Sequence, residues 1–130
     1  MKETPVLRYI MKAIGCLPWL RIWRNNTGLL WSGQEVIKVT KAQAIKLNPG
    51  DIVLKQAYPV RFGLTGSADL LGIMAPDGRF IALEVKQTKG KQSKEQKCFE
   101  DMITAMGGVY IVAHSPEEAL EKLNAVKGIL

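Results

Sequence analysis

Three residues in the middle of the chain have side chains and a spacing suited to chemistry on phosphate esters. Asp69 comes 15 positions before Glu84, and Lys86 follows Glu84 after one intervening residue. Successive side chains of a β-strand point to opposite faces, so Glu84 and Lys86 share one face while Leu83 and Val85 share the other. The pattern predicts a strand with one apolar side and one reactive side.

A predicted hairpin brings Asp69 to the reactive side of that strand. Asp77-Gly78 separates two apolar runs and favours a two-residue loop, which fixes how the two strands pair. In that register Asp69 lies opposite Lys86 and diagonal to Glu84, with Cβ atoms roughly 5 Å and about 7–8 Å apart. All three functional groups are therefore expected to meet.

Two converging carboxylates supply the oxygen ligands that Mg²⁺ or Mn²⁺ prefers, and the backbone carbonyl of Val85 is a candidate third ligand. Such an ion activates water and neutralises the charge that develops on a phosphate. Lys86 has two alternative roles at such a site. It either holds or deprotonates the attacking water, which requires a lowered pKa, or it stays a cation that balances charge in the transition state.

An acid near a lysine on a strand also has a simpler explanation, a solvent-exposed ion pair that contributes little to stability. The neighbouring residues argue against it, because Glu84 stands in the apolar run 81–86 and Asp69 is followed by Leu70 and Leu71. Buried acids are costly without partners. Acids on paired interior strands therefore favour a functional site.

The helix that follows the reactive strand carries a candidate polar contact to the site. Ser93 and Gln96 have the spacing of a capping box, in which two side chains bond to each other's backbone at a helix start. Gln96 also shares a helical face with Phe99 and Ile103, so its amide is able to reach toward the sheet. Both roles of Gln96 stay open from the sequence.

Basic residues gather at the start of the same helix, namely Lys89, Lys91, Lys94 and Lys97. Backbone donors and the positive end of the helix dipole favour a phosphate there, so these lysines are predicted to contact DNA. The alternative is a run that only increases solubility. Glu3 is a further candidate acid, because an N-terminal helix can place one carboxylate over the strand face, and the alternative is an exposed residue near the chain end.

The order of predicted elements indicates one α/β domain over residues 1–130, with a mixed central sheet flanked by helices. Predicted helices start at Pro5 and after Ser93 and Ser115, and predicted strands lie near 20–24, 67–74, 80–86 and 109–113. Strands joined by a hairpin are antiparallel and strands joined through a helix are parallel, so the sheet is mixed. Residues 34–58 are predicted to be an inserted hairpin.

The composition restricts the partners of the protein. The formal net charge is +6 over 130 residues, which favours a polyanion. Cys16 and Cys98 lack the spacing of a metal site and are expected to be free thiols in a reducing compartment. No segment has the length of a membrane helix or the pattern of a signal peptide, so a cytoplasmic protein without a membrane partner is expected. His114, the single histidine, is expected at a strand end.

Several short motifs follow one another in order along the chain. They are Asn25-Asn26-Thr27-Gly28, Arg61-Phe62-Gly63, Gly66-Ser67-Ala68-Asp69-Leu70-Leu71-Gly72, Asp77-Gly78-Arg79-Phe80, Glu84-Val85-Lys86, Gly90-Lys91, Ser93, Gln96, Phe99 and Gly107-Gly108. This ordered series resembles the virus-type replication-repair nuclease (VRR-NUC) domain, a family of the PD-(D/E)XK nuclease superfamily. The resemblance implies a restriction-endonuclease-like core in which Ala68 stands at the proline of the superfamily's name.

The resemblance also implies an activity and a role for each site residue. It places the two metal-binding acids at Asp69 and Glu84, the catalytic lysine at Lys86, the conserved glutamine at Gln96 and the first-helix glutamate at Glu3. The implied reaction is hydrolysis of phosphodiester bonds in DNA with Mg²⁺ or Mn²⁺.

Stand-alone members of this family from phages and bacteria resemble Holliday-junction resolvases of DNA repair that act as homodimers. A four-way junction has two-fold symmetry, which a C2 dimer with two active sites matches. A homodimeric, structure-selective endonuclease in a bacterial or phage-infected cell is therefore expected. A monomeric flap or nicking endonuclease and a catalytically silent DNA-binding accessory module are the alternatives. The apolar neighbours of Trp19, Trp23 and Trp31 favour core or subunit contacts for these rings over stacking on bases.

Overall fold

The computed structural model of the protein describes residues 5–29, 31, 33–87 and 90–128. These residues form a mixed α/β fold in which three helices flank a mixed four-stranded sheet. The helices are α1 (Pro5–Ile14), α2 (Lys94–Ala105) and α3 (Pro116–Lys127). The strands are β1 (Leu20–Arg24), β2 (Gly28–Leu29), β3 (Arg61–Phe62), β4 (Leu70–Met74), β5 (Arg79–Val85) and β6 (Val109–Ala113).

The main sheet has the strand order β1-β4-β5-β6, and β2 pairs with β3 in a separate two-stranded ladder. β4 is antiparallel to both β1 and β5, while β5 and β6 are parallel and are joined through α2. A helical crossover of this kind is the usual way to connect parallel neighbours. The predicted mixed sheet is confirmed.

One face of the sheet packs against α1 and α3 and forms the larger core. The apolar residues of α1 recur every three or four positions, so Leu7, Ile10 and Ile14 line a single stripe. The buried members of this core are Leu7, Ile10, Ile14, Leu20, Leu70, Met74, Ile81, Leu83, Val109, Ile111, Ala113, Ala119 and Leu123.

The opposite face packs against α2 in a smaller cluster that contains Ala82, Phe99 and Ile103. The ring of Phe99 meets that of Tyr110 edge-on at a centroid distance of 6.2 Å. Along β5 the odd-numbered residues therefore enter the larger core and the even-numbered residues face α2. This alternation confirms that β5 has one apolar side and one side that carries Glu84.

The predicted two-residue loop between β4 and β5 is wrong. Met74 pairs with Arg79, so the loop has four residues, 75–78, and the Gly78 N–H donates to the Met74 carbonyl at 2.9 Å. Leu71 consequently pairs with Ala82, two positions from its predicted partner. Because side chains alternate with a period of two, this shift keeps every residue on its predicted face.

The predicted inserted hairpin at 34–58 is not formed. Residues 33–60 contain no helix or strand and are exposed throughout, and we call this segment the arm. Its ends are held by the β2–β3 ladder, in which Leu29 pairs with Arg61. An isolated two-stranded excursion is marginally stable in water because it has no face to bury, which explains why the arm lacks strands.

Local signals predicted the helix starts correctly. The Ser93 and Ser115 side chains accept hydrogen bonds from the backbone three residues later, and Pro116 opens α3. None of the helices in the described ranges is long and apolar enough to cross a membrane.

Candidate functional site

Glu84 is the charged residue at the centre of the candidate site. It lies near the end of β5 on the side that faces α2 and is only 4% exposed. The pKa of Glu84 is raised from 4.5 to about 8. Burial is the largest cause, the nearby Asp69 carboxylate adds to the increase, and Lys86 opposes it. A carboxyl group is costly to bury in its charged form, so this position needs a proton or a cation.

Asp69 comes directly before β4 and is close to Glu84. Its Oδ2 accepts a hydrogen bond of 2.8 Å from the Val85 N–H, which ties the side chain to the neighbouring strand. When one of the two carboxyl groups is protonated, Asp69 and Glu84 can hydrogen-bond to each other. The predicted meeting of the two acids is confirmed, although the loop that was expected to arrange it has a different length.

Lys86 completes the predicted group. Its Nζ lies 3.8 Å from Glu84 Oε1, and its side chain is 19% exposed. The contact places Lys86 beside the buried acid. Both of its alternative roles, on the attacking water and on transition-state charge, stay open.

Gln96 fulfils both of the roles that the sequence left open. Its Oε1 accepts from the Ser93 N–H at 2.9 Å and its backbone N–H donates to Ser93 Oγ at 3.1 Å, which forms the capping box. Its Nε2 donates to Glu84 Oε1 at 2.9 Å. The start of α2 is thereby connected through one side chain to the buried acid.

The second oxygen of Glu84 indicates what the site can hold. Oε2 is buried and has no hydrogen-bond partner among the described residues. An unsatisfied buried carboxylate oxygen beside a second carboxylate fits a divalent cation. No group of three or more His, Cys, Asp or Glu side chains within the described ranges is placed to hold a metal. An ion here would therefore combine two carboxylates with a backbone carbonyl and water, as Mg²⁺ commonly does.

The lysines that were predicted to bind DNA, where the structure describes them, lie outside this group. Lys91 and Lys94 are exposed near the start of α2. The Nζ of Lys97 lies 2.7 Å from Glu100 and 3.7 Å from Asp101, so two carboxylates of its own helix already neutralise it. Glu3 and Lys89 fall outside the described residues.

Asn25 is a residue of this region whose role the sequence did not reveal. Its N–H donates to the Asp69 carbonyl at 2.8 Å, and its Nδ2 donates to Ser67 Oγ at 2.6 Å and to the Ala68 carbonyl at 2.9 Å. The side chain thus holds the backbone that leads into Asp69. Its place in an Asn-Asn-Thr-Gly turn was the available signal, but a turn motif does not indicate a contact with a segment more than 40 residues away.

Close packing against α2 also fixes the loop before Asp69. Gly66 has a φ of +82°, and a Cβ there would come within 2.5 Å of the Glu95 backbone. Any other residue would be strained and would push the loop away from the start of α2. The Asp69 backbone is therefore held from two sides, by Asn25 and by the contact at Gly66.

Tyr110 is a second polar residue near the site that the sequence did not single out. It lies on β6 beside Ala82, and its hydroxyl is buried near the Gln92 side chain. Burial raises the pKa of Tyr110 to about 12, Gln92 opposes the change, and the nearby acids Glu84 and Glu100 add to it. The hydroxyl therefore stays neutral at physiological pH.

His114 takes no part in the candidate site. It follows β6 as predicted, and its Nδ1 lies 3.0 Å from Glu118 Oε2. A hydrogen bond from Lys122 and one from the His114 backbone lower the pKa of Glu118 to about 2. These contacts stabilise the junction between β6 and α3.

Comparisons with known proteins add no family assignment. The chain matches no protein-family model, and no curated protein matches its sequence. The function is therefore inferred from the motifs and from the geometry of the site.

Proposed function

We propose that this protein is a metal-dependent DNA endonuclease with a PD-(D/E)XK core of the VRR-NUC type, which hydrolyses phosphodiester bonds with Mg²⁺ or Mn²⁺. The observation that carries the proposal is the buried Glu84 carboxylate, which has one unsatisfied oxygen, lies beside Asp69 and is contacted by Lys86 and Gln96. A structural ion pair would not require two adjacent acids in a desolvated position.

Each residue of the site has a defined part in the proposed reaction. Asp69, Glu84 and the Val85 carbonyl would hold the ion, whose chemistry is to activate water and to neutralise phosphate charge. Gln96 fixes one oxygen of Glu84 and leaves the other free to bind. Lys86 faces the same region as a cation, suited to the charge that builds up on the phosphate in the transition state.

Branched DNA, and four-way junctions in particular, is the proposed substrate class. The net charge of +6 and the exposed lysines Lys91 and Lys94 favour phosphate contacts that carry no sequence information. A role in DNA repair in a bacterial or phage-infected cell follows from the resemblance to VRR-NUC domains.

We further propose that the protein acts as a homodimer through its arm. Large aliphatic side chains of the arm are exposed, among them Ile52 at 87% and Leu54 at 68%. A two-fold contact through the arm would bury them and would hold two active sites at a fixed separation. Light scattering at micromolar concentration should then give twice the chain mass of 14.4 kDa.

Two alternatives remain distinguishable by experiment. A monomeric flap or nicking endonuclease would use the same site but would cut four-way junctions poorly. A catalytically silent DNA-binding module would have no need to keep Asp69, Glu84 and Lys86 together in one buried group, and their proximity argues against it.

Cleavage assays on defined DNA structures test the proposal. End-labelled duplex, flap, fork and four-way junction are incubated with Mg²⁺ or with Mn²⁺, and the nicks are mapped. Symmetric pairs of junction cuts are expected from the wild type, and Asp69→Asn and Glu84→Gln should abolish cleavage while metal-free DNA binding is retained. Asp77→Asn, which changes an exposed acid in the β4–β5 loop, is the matched control. Cleavage that persists in both site variants would refute the assignment.

A further inference from the structure

Part of the sheet face that carries the candidate site is not covered by α2. The cluster beneath α2 includes residues of β4, β5 and β6, but none of its members lies on β1. On the uncovered part, Trp23 is 48% exposed and Ile73 on β4 is 45% exposed. Arg21, which pairs with Ile73, is exposed beside them.

Trp23 lies close to the acids of the site. It pairs with Leu71, and the bond from the Asn25 N–H to the Asp69 carbonyl continues the same ladder by two positions. Trp23 and Asp69 are therefore diagonal neighbours on one face, with Cβ atoms about 7–8 Å apart. That separation corresponds to roughly two steps of 3.4 Å along a stacked nucleic-acid strand.

We propose that Trp23 stacks on an unpaired base of the DNA next to the phosphate that is cut, so that this face selects DNA with unstacked nucleotides over continuous duplex. The inference depends on the proposed nuclease function and narrows its substrate class. An indole ring can stack only on a base whose face is free, and bases within an intact duplex are stacked on both sides. Stacking on aromatic side chains tolerates any base sequence, which suits an enzyme that recognises structure.

The position of Trp23 also argues against a protein partner on this face. A second protein seated on Trp23 and Ile73 would lie over Asp69, one diagonal away, and would obstruct access to the acids. A nucleic-acid strand that passes over Trp23 would instead lead directly to the acids. Arg21 supplies a cation at the same surface, the combination of aromatic ring and positive charge that single-strand sites use.

Binding measurements without metal test the inference independently of catalysis. Labelled DNA that contains a short single-stranded gap and an intact duplex of the same sequence are titrated with protein in the presence of a chelator. Trp23→Ala should weaken binding to gapped DNA by about 5- to 100-fold, the usual loss for one stacked base, and should change duplex binding by less than about twofold. Trp23→Phe should retain most of the preference for gapped DNA.

A matched control and a spectroscopic readout separate stacking from a general structural effect. Tyr9 is 60% exposed on α1, in the layer on the other side of the sheet, so Tyr9→Ala removes an accessible aromatic ring without affecting this face. It should leave both affinities unchanged. A 2-aminopurine base placed in the gap should be quenched by the wild type and not by Trp23→Ala.

The outcomes distinguish this inference from the proposed function. Equal losses on gapped and duplex DNA, or unchanged quenching in Trp23→Ala, would overturn the stacking role even if the wild type cleaves DNA. Selective loss on gapped DNA together with a wild type that cleaves no substrate would support Trp23 stacking and refute the nuclease. Failure of the wild type to bind any DNA would refute both.

Discussion

The candidate site and the arm depart from the ordinary distribution of polar and apolar residues in opposite directions. At the site, the acidic Glu84 is 4% exposed, whereas in the arm the aliphatic Ile52 is 87% exposed. Burying a charge and exposing a large apolar side chain both cost free energy. Each region is thus costly within one chain, which supports the proposed cation at the site and the proposed apolar contact at the arm.

The difference between the two regions lies in how strongly the fold holds them. The backbone of Asp69 is held by Asn25, and Glu84 sits between strands inside the main sheet. The ends of the arm are joined by the short β2–β3 ladder, and its residues 33–60 are exposed throughout. A preorganised site suits the proposed catalysis, which depends on fixed geometry, while an exposed arm suits the proposed association.

After the loss of either acid, the largest effect is expected at Lys86. Lys86→Ala should lower the cleavage rate by about 10²- to 10⁴-fold, because the proposed role of the lysine is to act on water or on transition-state charge. Metal affinity, measured by titration calorimetry, should be nearly unchanged. Lys12→Ala, an exposed change on α1, is the control. A parallel fall in metal affinity and activity would reassign Lys86 to metal binding.

A pair of identical substitutions compares the two regions directly. Leu83→Ala in the core should lower the free energy of unfolding by about 2–5 kcal/mol, because it leaves a cavity. Leu54→Ala in the arm should change it by less than about 0.5 kcal/mol in dilute protein. Urea unfolding measures both. Similar losses for the two variants would show that the arm packs against the domain.

The pH dependence of stability tests the environment of Glu84. Its pKa is raised from 4.5 to about 8 in the folded protein, so the folded state holds the extra proton. Without metal, the contribution of Glu84 to stability should be greatest below about pH 4.5 and should fall by a few kcal/mol as the pH rises to 8. Glu84→Gln should remove most of this decline, and divalent metal at pH 8 should restore stability to the wild type only. A pH-independent difference between wild type and variant would contradict the raised pKa.

A smaller effect is expected at Asn25, which positions Asp69 without contacting the substrate. Asn25→Ala should lower the cleavage rate by roughly 10- to 100-fold, the usual cost of losing a residue that orients a metal ligand. The loss should fall on kcat, with KM nearly unchanged. Asn26→Ala, an exposed change at the next position, is the control. A loss in KM alone would mean that Asn25 contacts DNA.

The smallest effect concerns the basic start of α2. Replacing Lys91 and Lys94 by Ala should weaken binding to all DNA structures about equally and should reduce the slope of log affinity against log salt by about 1–2. The same change at Lys41 and Lys46 in the arm removes equal charge at a different place and should alter the slope less. Equal changes for both pairs would show that only net charge matters.

The sequence by itself determined the features that depend on local pattern. The alternation along β5 placed Glu84 and Lys86 on one side, because strand periodicity requires no distant contact. The Ser93 and Ser115 caps were equally local, since each joins residues three positions apart. The predicted faces of β4 were correct although the predicted loop length was wrong. The pairing of β4 with β5 is shifted by two residues, and a shift of two leaves each side chain on the same face.

Tertiary structure decided what depends on distant segments. Three features follow from how separate elements pack. They are the length of the β4–β5 loop, the hydrogen bond from Gln96 to Glu84 and the hydrogen bonds of Asn25 to the backbone around Asp69. The raised pKa of Glu84 also belongs here, because α2 and the neighbouring strands bury the carboxyl group. The exposed arm is the clearest case, since its apolar runs predicted a hairpin, yet residues 33–60 form no strand and are exposed throughout.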